Sequence, residues 1–183
     1  ILKKSYSEAV SQNCDLFLTS ELSLAGYPPQ DLLFRKDFLK KVEVFKQKII
    51  NLTKKKKTII ALSIPLSKIN EITNALLLVQ SGKIIYSVQK KMLPNYGVFD
   101  EKRYFSSTQI KTEYFNYKNK KIEFLICEDM WTNDFIKKKK EKLDLIVVIN
   151  ASPFEIGKFK SRQSHASRRA KHFKSNLVYV NLV

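Results

Sequence analysis

Seven short segments rich in Ile, Val, Leu and Tyr constrain the fold of this chain more than any other feature of its sequence. Short apolar runs of this composition are typical of β-strands. The predicted strands are residues 15–20, 58–64, 73–80, 83–90, 121–127, 143–150 and 176–183. Helix-patterned segments lie between several of them, whereas Ser81 and Gly82 predict a hairpin turn that joins two directly. This order of elements predicts an α/β fold with a mixed sheet covered by helices.

Apolar residues that repeat at helical spacing predict the helices. Leu2, Tyr6 and Val10 lie on one face of the first predicted helix. The predicted helices are residues 2–13, 36–54, 133–142 and 160–174. An amphipathic helix of this kind buries its apolar face against another layer of the fold, which agrees with a sheet covered by helices.

The composition fits one globular domain that spans residues 1–183. Hydrophobic residues make up 44% of the chain and aromatic residues 11%, which is enough to build a buried core. No apolar stretch approaches the roughly 20 residues that cross a bilayer, and residues 1–4 lack the apolar segment of a signal peptide. We therefore expect a soluble, cytoplasmic protein with no membrane partner.

The chain is strongly basic: 34 Lys and Arg residues against 17 Asp and Glu residues give a formal charge of +17. This charge motivates one alternative function, a basic nucleic-acid-binding module without catalysis. The excess is concentrated in two lysine runs, residues 54–57 and 137–140, at the ends of predicted helices. Lysine runs without interleaved arginine or aromatic residues are typical of solvated surfaces. We therefore do not expect nucleic acid to be a partner.

Three ionisable residues stand where predicted strands end. Glu21, Lys90 and Cys127 each close a strand-like segment. Most of the Gly and Pro residues of the chain fall in three loops, which follow Glu21, Lys90 and Asn150. Loops at strand ends are where α/β proteins bind ligands, so the rigid turns coincide with the candidate chemistry.

These three residue types can perform acyl transfer from an amide through a thioester. A cysteine attacks as the thiolate, for which Glu21 can be the base. Lys90 can stabilise the thiolate and, with the backbone N–H of Glu128, the oxyanion that forms when a carbonyl is attacked. Each residue alone has a more common structural role, as a core cysteine, a capping carboxylate or a surface lysine. Only their joint occurrence favours catalysis.

The remaining Cys and His residues predict no metal site. Cys14 and Cys127 are far apart in sequence, with no second pair of cysteines and no His near either. A disulfide is not expected in a cytoplasmic protein. His165 and His172 lie seven residues apart with no carboxylate or Cys at ligand spacing, so we expect them to be surface or packing residues.

Four segments of the chain resemble the nitrilase superfamily and, within it, the glutamine-hydrolysing domain of glutamine-dependent NAD⁺ synthetases. Two of them are specific: Gly-Tyr-Pro-Pro-x-Asp-Leu-Leu at residues 26–33, and Leu-Pro-Asn-Tyr-x-Val-Phe-Asp-Glu-x-Arg-Tyr-Phe at residues 93–105. The other two are Ile-Cys-Glu-Asp-Met-Trp at residues 126–131 and Asn-Ala-Ser-Pro-Phe at residues 150–154. The resemblance spans nearly the whole chain.

The resemblance also implies roles for individual residues. By its motifs Glu21 matches the family's general base, Lys90 its catalytic lysine and Cys127 its nucleophile. Four more positions match groups near the bound substrate: Tyr96, Glu128, Ser152 and Lys158. Because related sequences can carry arginine where this chain has Lys158, bidentate binding of a carboxylate is not expected at that position.

The family implies an αββα sandwich that assembles into homo-oligomers. We also expect this chain to be truncated at both ends, because a helix begins it with no strand before and a strand ends it with no turn after. The reaction it implies is the hydrolysis of L-glutamine through a Cys thioester, with no cofactor in this domain. The ammonia would pass to a carboxy-terminal synthetase domain, absent from these residues, which uses ATP and Mg²⁺ to amidate nicotinic acid adenine dinucleotide. The alternative is a free-standing amidase of the same superfamily that acts on another carbon-nitrogen bond.

Overall fold

Eight strands form two four-stranded sheets in a computed structural model, which describes residues 1–69, 71–107, 114–132 and 142–182. The strands of the first sheet are β1 (Leu16–Leu18), β2 (Ile59–Lys68), β3 (Glu71–Gln80) and β4 (Lys83–Gln89). The strands of the second sheet are β5 (Phe115–Tyr117), β6 (Lys120–Ile126), β7 (Leu145–Ile149) and β8 (Asn176–Val180). The expectation of one mixed sheet is therefore wrong, because the strands divide between two.

Both sheets mix parallel and antiparallel pairs, and in each the order of strands follows the sequence. In the first sheet β1 is parallel to β2, and β2, β3 and β4 are successively antiparallel. In the second sheet β5 is antiparallel to β6, whereas β6, β7 and β8 are parallel. As a result β1 and β4 run in the same direction, so their carboxyl ends lie at the same end of the first sheet. The carboxyl ends of β6 and β7 likewise lie at one end of the second sheet.

The predicted hairpin between β3 and β4 is confirmed. Ser81 and Gly82 both have positive φ, +50° and +80°, as the tight turns that match the twist of antiparallel strands require. The Gly82 N–H donates a hydrogen bond of 2.9 Å to the Thr53 hydroxyl, which fixes the turn against the end of the preceding helix. A side chain at Gly82 would also meet the stem of Lys54, so this position suits glycine.

Three of the four predicted helices are confirmed within one or two residues at each end: α1 (Leu2–Ser11), α2 (Lys36–Leu52) and α3 (Lys158–Phe173). The helix predicted at 133–142 lies, apart from its last residue, outside the described residues. Within the described ranges, none of the helices combines the length and the apolar composition that a bilayer span requires.

The two sheets pack face to face between outer layers of helices. Residues from both sheets fill the central core, among them Ala61 and Leu78 from the first and Phe124 and Val147 from the second. Helices α1 and α2 cover the other face of the first sheet, and α3 covers the other face of the second. The layers are therefore helix, sheet, sheet, helix, which is the αββα sandwich that the family resemblance implies.

The central core makes a direct stability prediction. Phe124 is 1% exposed between the sheets, whereas Phe154 is 91% exposed. We expect Phe124→Ala to lower the free energy of unfolding by about 3–5 kcal/mol, since it removes buried apolar area and leaves a cavity. The matched control Phe154→Ala changes it by less than about 0.5 kcal/mol. Urea unfolding followed by circular dichroism measures both, and equal losses would contradict the assignment of the core.

Candidate active site

The ends of β1, β4 and β6 bring Glu21, Lys90 and Cys127 into one buried cluster. Glu21 and Lys90 are fully buried, and Cys127 is 5% exposed. The Glu21 N–H donates to the Asn150 carbonyl at 3.3 Å, so the segments that follow β1 and β7 meet across the two sheets. The three residues that sequence reasoning selected are therefore close neighbours, contributed by both sheets.

The Lys90 ammonium lies between two carboxylates. Its Nζ atom is 2.7 Å from Glu21 Oε1 and 2.6 Å from Glu101 Oε1. Burial disfavours the charged amine, but the nearby charges of Glu21 and Glu101 outweigh burial and raise the pKa of Lys90. Lys90 therefore carries a fixed positive charge at the centre of the cluster.

Glu21 is held by three hydrogen-bond donors. Oε1 accepts from Lys90 and from Asn74 Nδ2, the latter at 2.8 Å. Oε2 accepts from the Ala151 N–H at 3.2 Å. Because donors contact both oxygens, the orientation of the carboxylate is set by β3, by the end of β4 and by the loop after β7.

Glu101 is the member of the cluster that sequence reasoning did not select. Besides Lys90, it accepts a hydrogen bond of 2.9 Å from the Tyr27 hydroxyl. Burial raises the pKa of Glu101 to about 7, with the Lys90 ammonium opposing the shift and the Glu21 carboxylate adding to it. A signal was available, because Glu101 belongs to the motif at residues 93–105, but nothing in that motif distinguishes a buried carboxylate from an exposed one.

Cys127 begins a short 3₁₀ helix, Cys127–Met130, and has φ of +46°. This conformation is uncommon for a residue with a side chain, and such residues cluster at functional sites. The Cys127 sulfur lies 3.8 Å from the Ser152 hydroxyl oxygen. Burial, and next the Glu21 charge, raise the pKa of the Cys127 thiol well above its ordinary value, while Lys90 lowers it. The resting thiol is therefore protonated at neutral pH.

A cavity of about 530 Å³ opens beside Cys127. All four residues predicted near the substrate line it: Tyr96, Glu128, Ser152 and Lys158. Glu21 and Lys90 are not among its lining residues, and Cys127 is the member of the predicted triad that reaches its surface. Cys14, in the turn after α1, is likewise not a lining residue.

The cavity carries both signs of charge. The Tyr96 hydroxyl donates to both oxygens of Glu128, at 3.0 and 3.2 Å. Lys158 forms an ion pair of 3.0 Å with Glu155, and its ammonium lies 5.7 Å from the centre of the Trp131 ring. The arrangement offers a carboxylate and an ammonium to a ligand that carries an amino group and a carboxyl group.

Metal-ligating side chains are sparse in the part of the chain that the structure describes. In that part, no three His, Cys, Asp or Glu residues group as the ligands of an ion would. The positive charge beside the Cys127 thiol comes from the Lys90 ammonium.

The chain is similar to known proteins over nearly its whole length. A glutamine-dependent NAD⁺ synthetase of Synechocystis is 36% identical over 96% of this chain and 35% of the relative. The solved structure of such a synthetase from Acinetobacter baumannii superposes with a TM-score of 0.88 at 32% identity, over 100% of this chain and 34% of that one. This chain spans about a third of the length of the curated synthetases it matches.

A more distant structure shares the fold alone. An amidase of the nitrilase superfamily from Nesterenkonia AN1, solved as a mutant, has a TM-score of 0.78 at 17% identity, over 98% of this chain and 68% of the amidase. The family model described as carbon-nitrogen hydrolase matches residues 1–182. Since that match covers nearly the whole length, the chain belongs to the carbon-nitrogen hydrolase family.

Proposed function

We propose that this chain hydrolyses the side-chain amide of L-glutamine and is the glutaminase part of a glutamine-dependent NAD⁺ synthetase. The observation that carries the proposal is the Lys90 ammonium, held between two buried carboxylates beside a strand-end cysteine that opens into a cavity. The name shared by the relatives supports glutamine as the substrate. The alternative within the family remains an amidase that acts on another carbon-nitrogen bond.

Cys127 is the nucleophile in this proposal, and Glu21 moves the protons. Glu21 takes the thiol proton as sulfur attacks the amide carbon, because the thiol is protonated at rest. When the tetrahedral intermediate collapses, Glu21 gives that proton to the leaving nitrogen and ammonia departs. Water then donates a proton to Glu21 and attacks the thioester, the carbon–sulfur bond breaks, and the proton returns to sulfur as glutamate leaves.

Lys90 provides the electrostatic stabilisation. The negative charge moves from the thiolate to the substrate oxygen, and an ammonium close to both positions lowers the free energy of the transition state. The backbone N–H of Glu128 is the second proposed donor to the oxyanion. Glu101 keeps the Lys90 ammonium in place when Glu21 is protonated and becomes a weaker acceptor. Hydrolysis by these groups requires no cofactor.

The amino-acid end of glutamine fits the charges of the cavity. We assign the substrate ammonium to Glu128, which already accepts hydrogen bonds from the Tyr96 hydroxyl. The substrate carboxylate is assigned to Lys158, with the Ser152 hydroxyl as a further donor near the nucleophile. A zwitterion bound by one anion and one cation leaves no buried charge unpaired.

The ammonia has a proposed destination in a synthetase domain, where ATP and Mg²⁺ would act and nicotinic acid adenine dinucleotide would be amidated. The support is the name of the relatives, of which this chain spans about a third. Assembly into a homo-oligomer is proposed from the family resemblance alone. The transfer of ammonia and the assembly are therefore proposed for the whole protein and not for this chain alone.

Cysteine labelling tests the nucleophile and the substrate together. A glutamine-mimicking electrophile is expected to label Cys127 and not Cys14, as read by mass-spectrometric mapping of the adducts. Excess glutamine is expected to suppress labelling of Cys127, since glutamine and the electrophile would compete for the cavity that Cys127 lines. Labelling that glutamine does not affect, but that another amide suppresses, would favour the alternative amidase. Equal labelling of the two thiols in a folded chain would refute an activated nucleophile at Cys127.

Replacing the base should separate thiol acidity from turnover. Glu21→Gln removes a negative charge that raises the pKa of Cys127. The apparent pKa in the pH dependence of iodoacetamide alkylation is therefore expected to fall below that of the unmodified protein, so more thiolate is present at a given pH. Glutamine turnover is expected to fall by about 10²–10⁴-fold, because the proton carrier is lost. A variant with unchanged turnover would exclude Glu21 as the general base.

Two substitutions at the carboxylate-binding end should move KM in opposite directions. Lys158→Met is expected to raise KM for glutamine by about 10–100-fold with little change in kcat, since a charged hydrogen bond made equally in ground state and transition state is lost. Glu155→Gln frees Lys158 from its ion pair and is expected to lower KM. Lys160→Met, on the exposed surface of the same helix, is the control. Equal KM values in all three variants would contradict the assignment of Lys158.

A further inference from the structure

We propose that Arg169 is a positioning residue, which holds the 3₁₀ turn of Cys127 in place from the opposite side of the second sheet. The inference deepens the proposed function, on which its kinetic part rests. Arg169 lies on α3, is 1% exposed and is among the largest fully buried side chains of the described residues. Its Nη2 atom donates to three carbonyls, at 2.7 Å to Met130, 3.0 Å to Thr132 and 3.3 Å to Asp129.

These carbonyls lie at the end of the short helix or just beyond it, where the helix provides no hydrogen-bond donor for them. The last carbonyls of any helix have no partner within it, and Cys127–Met130 is only four residues long. An arginine that reaches all three from another layer fixes where this segment lies. Since Cys127 is the first residue of the same helix, the position of its sulfur follows from the position of the carbonyls.

The other side of the turn is tied to the end of β4. The Asp129 carboxylate, itself buried, accepts hydrogen bonds from the Lys91 N–H at 3.0 Å and the Met92 N–H at 2.8 Å. These two residues directly follow Lys90. The turn is thus held between α3 and the loop that begins at Lys90, so Arg169 acts on the geometry between the thiol and the ammonium.

The contacts of Arg169 are hard to explain by packing alone. In the residues that the structure describes, no carboxylate lies within ion-pair distance of its guanidinium, and its Nη1 atom has no hydrogen-bond partner. Burial lowers the pKa of Arg169, while the more distant charges of Glu123 and Asp129 oppose the shift. A buried charge of this kind is costly, and an apolar side chain of similar volume commonly stabilises such a site better. The charge strengthens the hydrogen bonds that hold the three carbonyls in place.

The test compares Arg169→Met and Arg169→Lys with the control Arg168→Met, an exposed neighbour on the same helix, in the complete natural chain. We expect Arg169→Met to lower kcat for glutamine by about 100-fold while KM changes by less than about threefold, because a displacement on the order of 1 Å suffices. Arg169→Lys keeps a charged donor on a shorter side chain and is expected to recover part of kcat. The control keeps both constants.

Amide hydrogen exchange, measured by mass spectrometry, is the second readout and does not depend on glutamine. Exchange in peptides that cover residues 127–131 is expected to accelerate in Arg169→Met and not in the control. Unchanged exchange in these peptides would overturn the proposal, and so would an unchanged kcat in both Arg169 variants. If Arg169→Met does not fold, both readouts are taken in Arg169→Lys, where unchanged exchange in these peptides together with an unchanged kcat overturns the inference. An unmodified protein that fails to hydrolyse glutamine would refute the proposed function, while exchange would still decide the role of Arg169.

Discussion

The buried contact of one ammonium with two carboxylates is the interaction on which the rest of this structure depends. Glu21 follows β1, whereas Lys90 and Glu101 both lie in the segment that follows β4. Removing Lys90 would leave two carboxylates without a counter-charge in the interior. Two carboxylates against one ammonium leave an excess negative charge, and burial opposes that excess by raising the pKa of Glu101 to about 7. The loops that carry these residues are therefore fixed by electrostatics as well as by packing.

Burial, and next the Glu21 charge, also determine the resting state of the proposed nucleophile, Cys127. Both raise the pKa of its thiol, so the thiol is protonated at rest. Oxidation and nonspecific alkylation follow thiolate character and exposure, so a buried, neutral thiol is protected from both. In the proposed mechanism, the thiol becomes reactive only when Glu21 takes its proton.

The sequence was sufficient to predict most elements and the three strand-end residues, because Glu21, Lys90 and Cys127 each close a strand-like segment. The pattern of elements alone was not sufficient for the division into two sheets, since strands buried on both faces look alike in either sheet, whereas the family resemblance implied it. The strand Phe115–Tyr117 was missed because Asn116 separates its two aromatic residues, so it forms no apolar run. Arg169 could not be distinguished in a helix with many basic residues, because nothing local marks which of them is buried.

The proposed nucleophile and base belong to different sheets, and this has an evolutionary consequence. Glu21 follows a strand of the first sheet and Cys127 a strand of the second, so the side chains packed between the sheets help to set the distance that a proton must cross. A change of volume in that interior is thus subject to selection on rate as well as on folding. Related chains are expected to exchange large and small residues there in compensating pairs, keeping the thickness of the layer nearly constant.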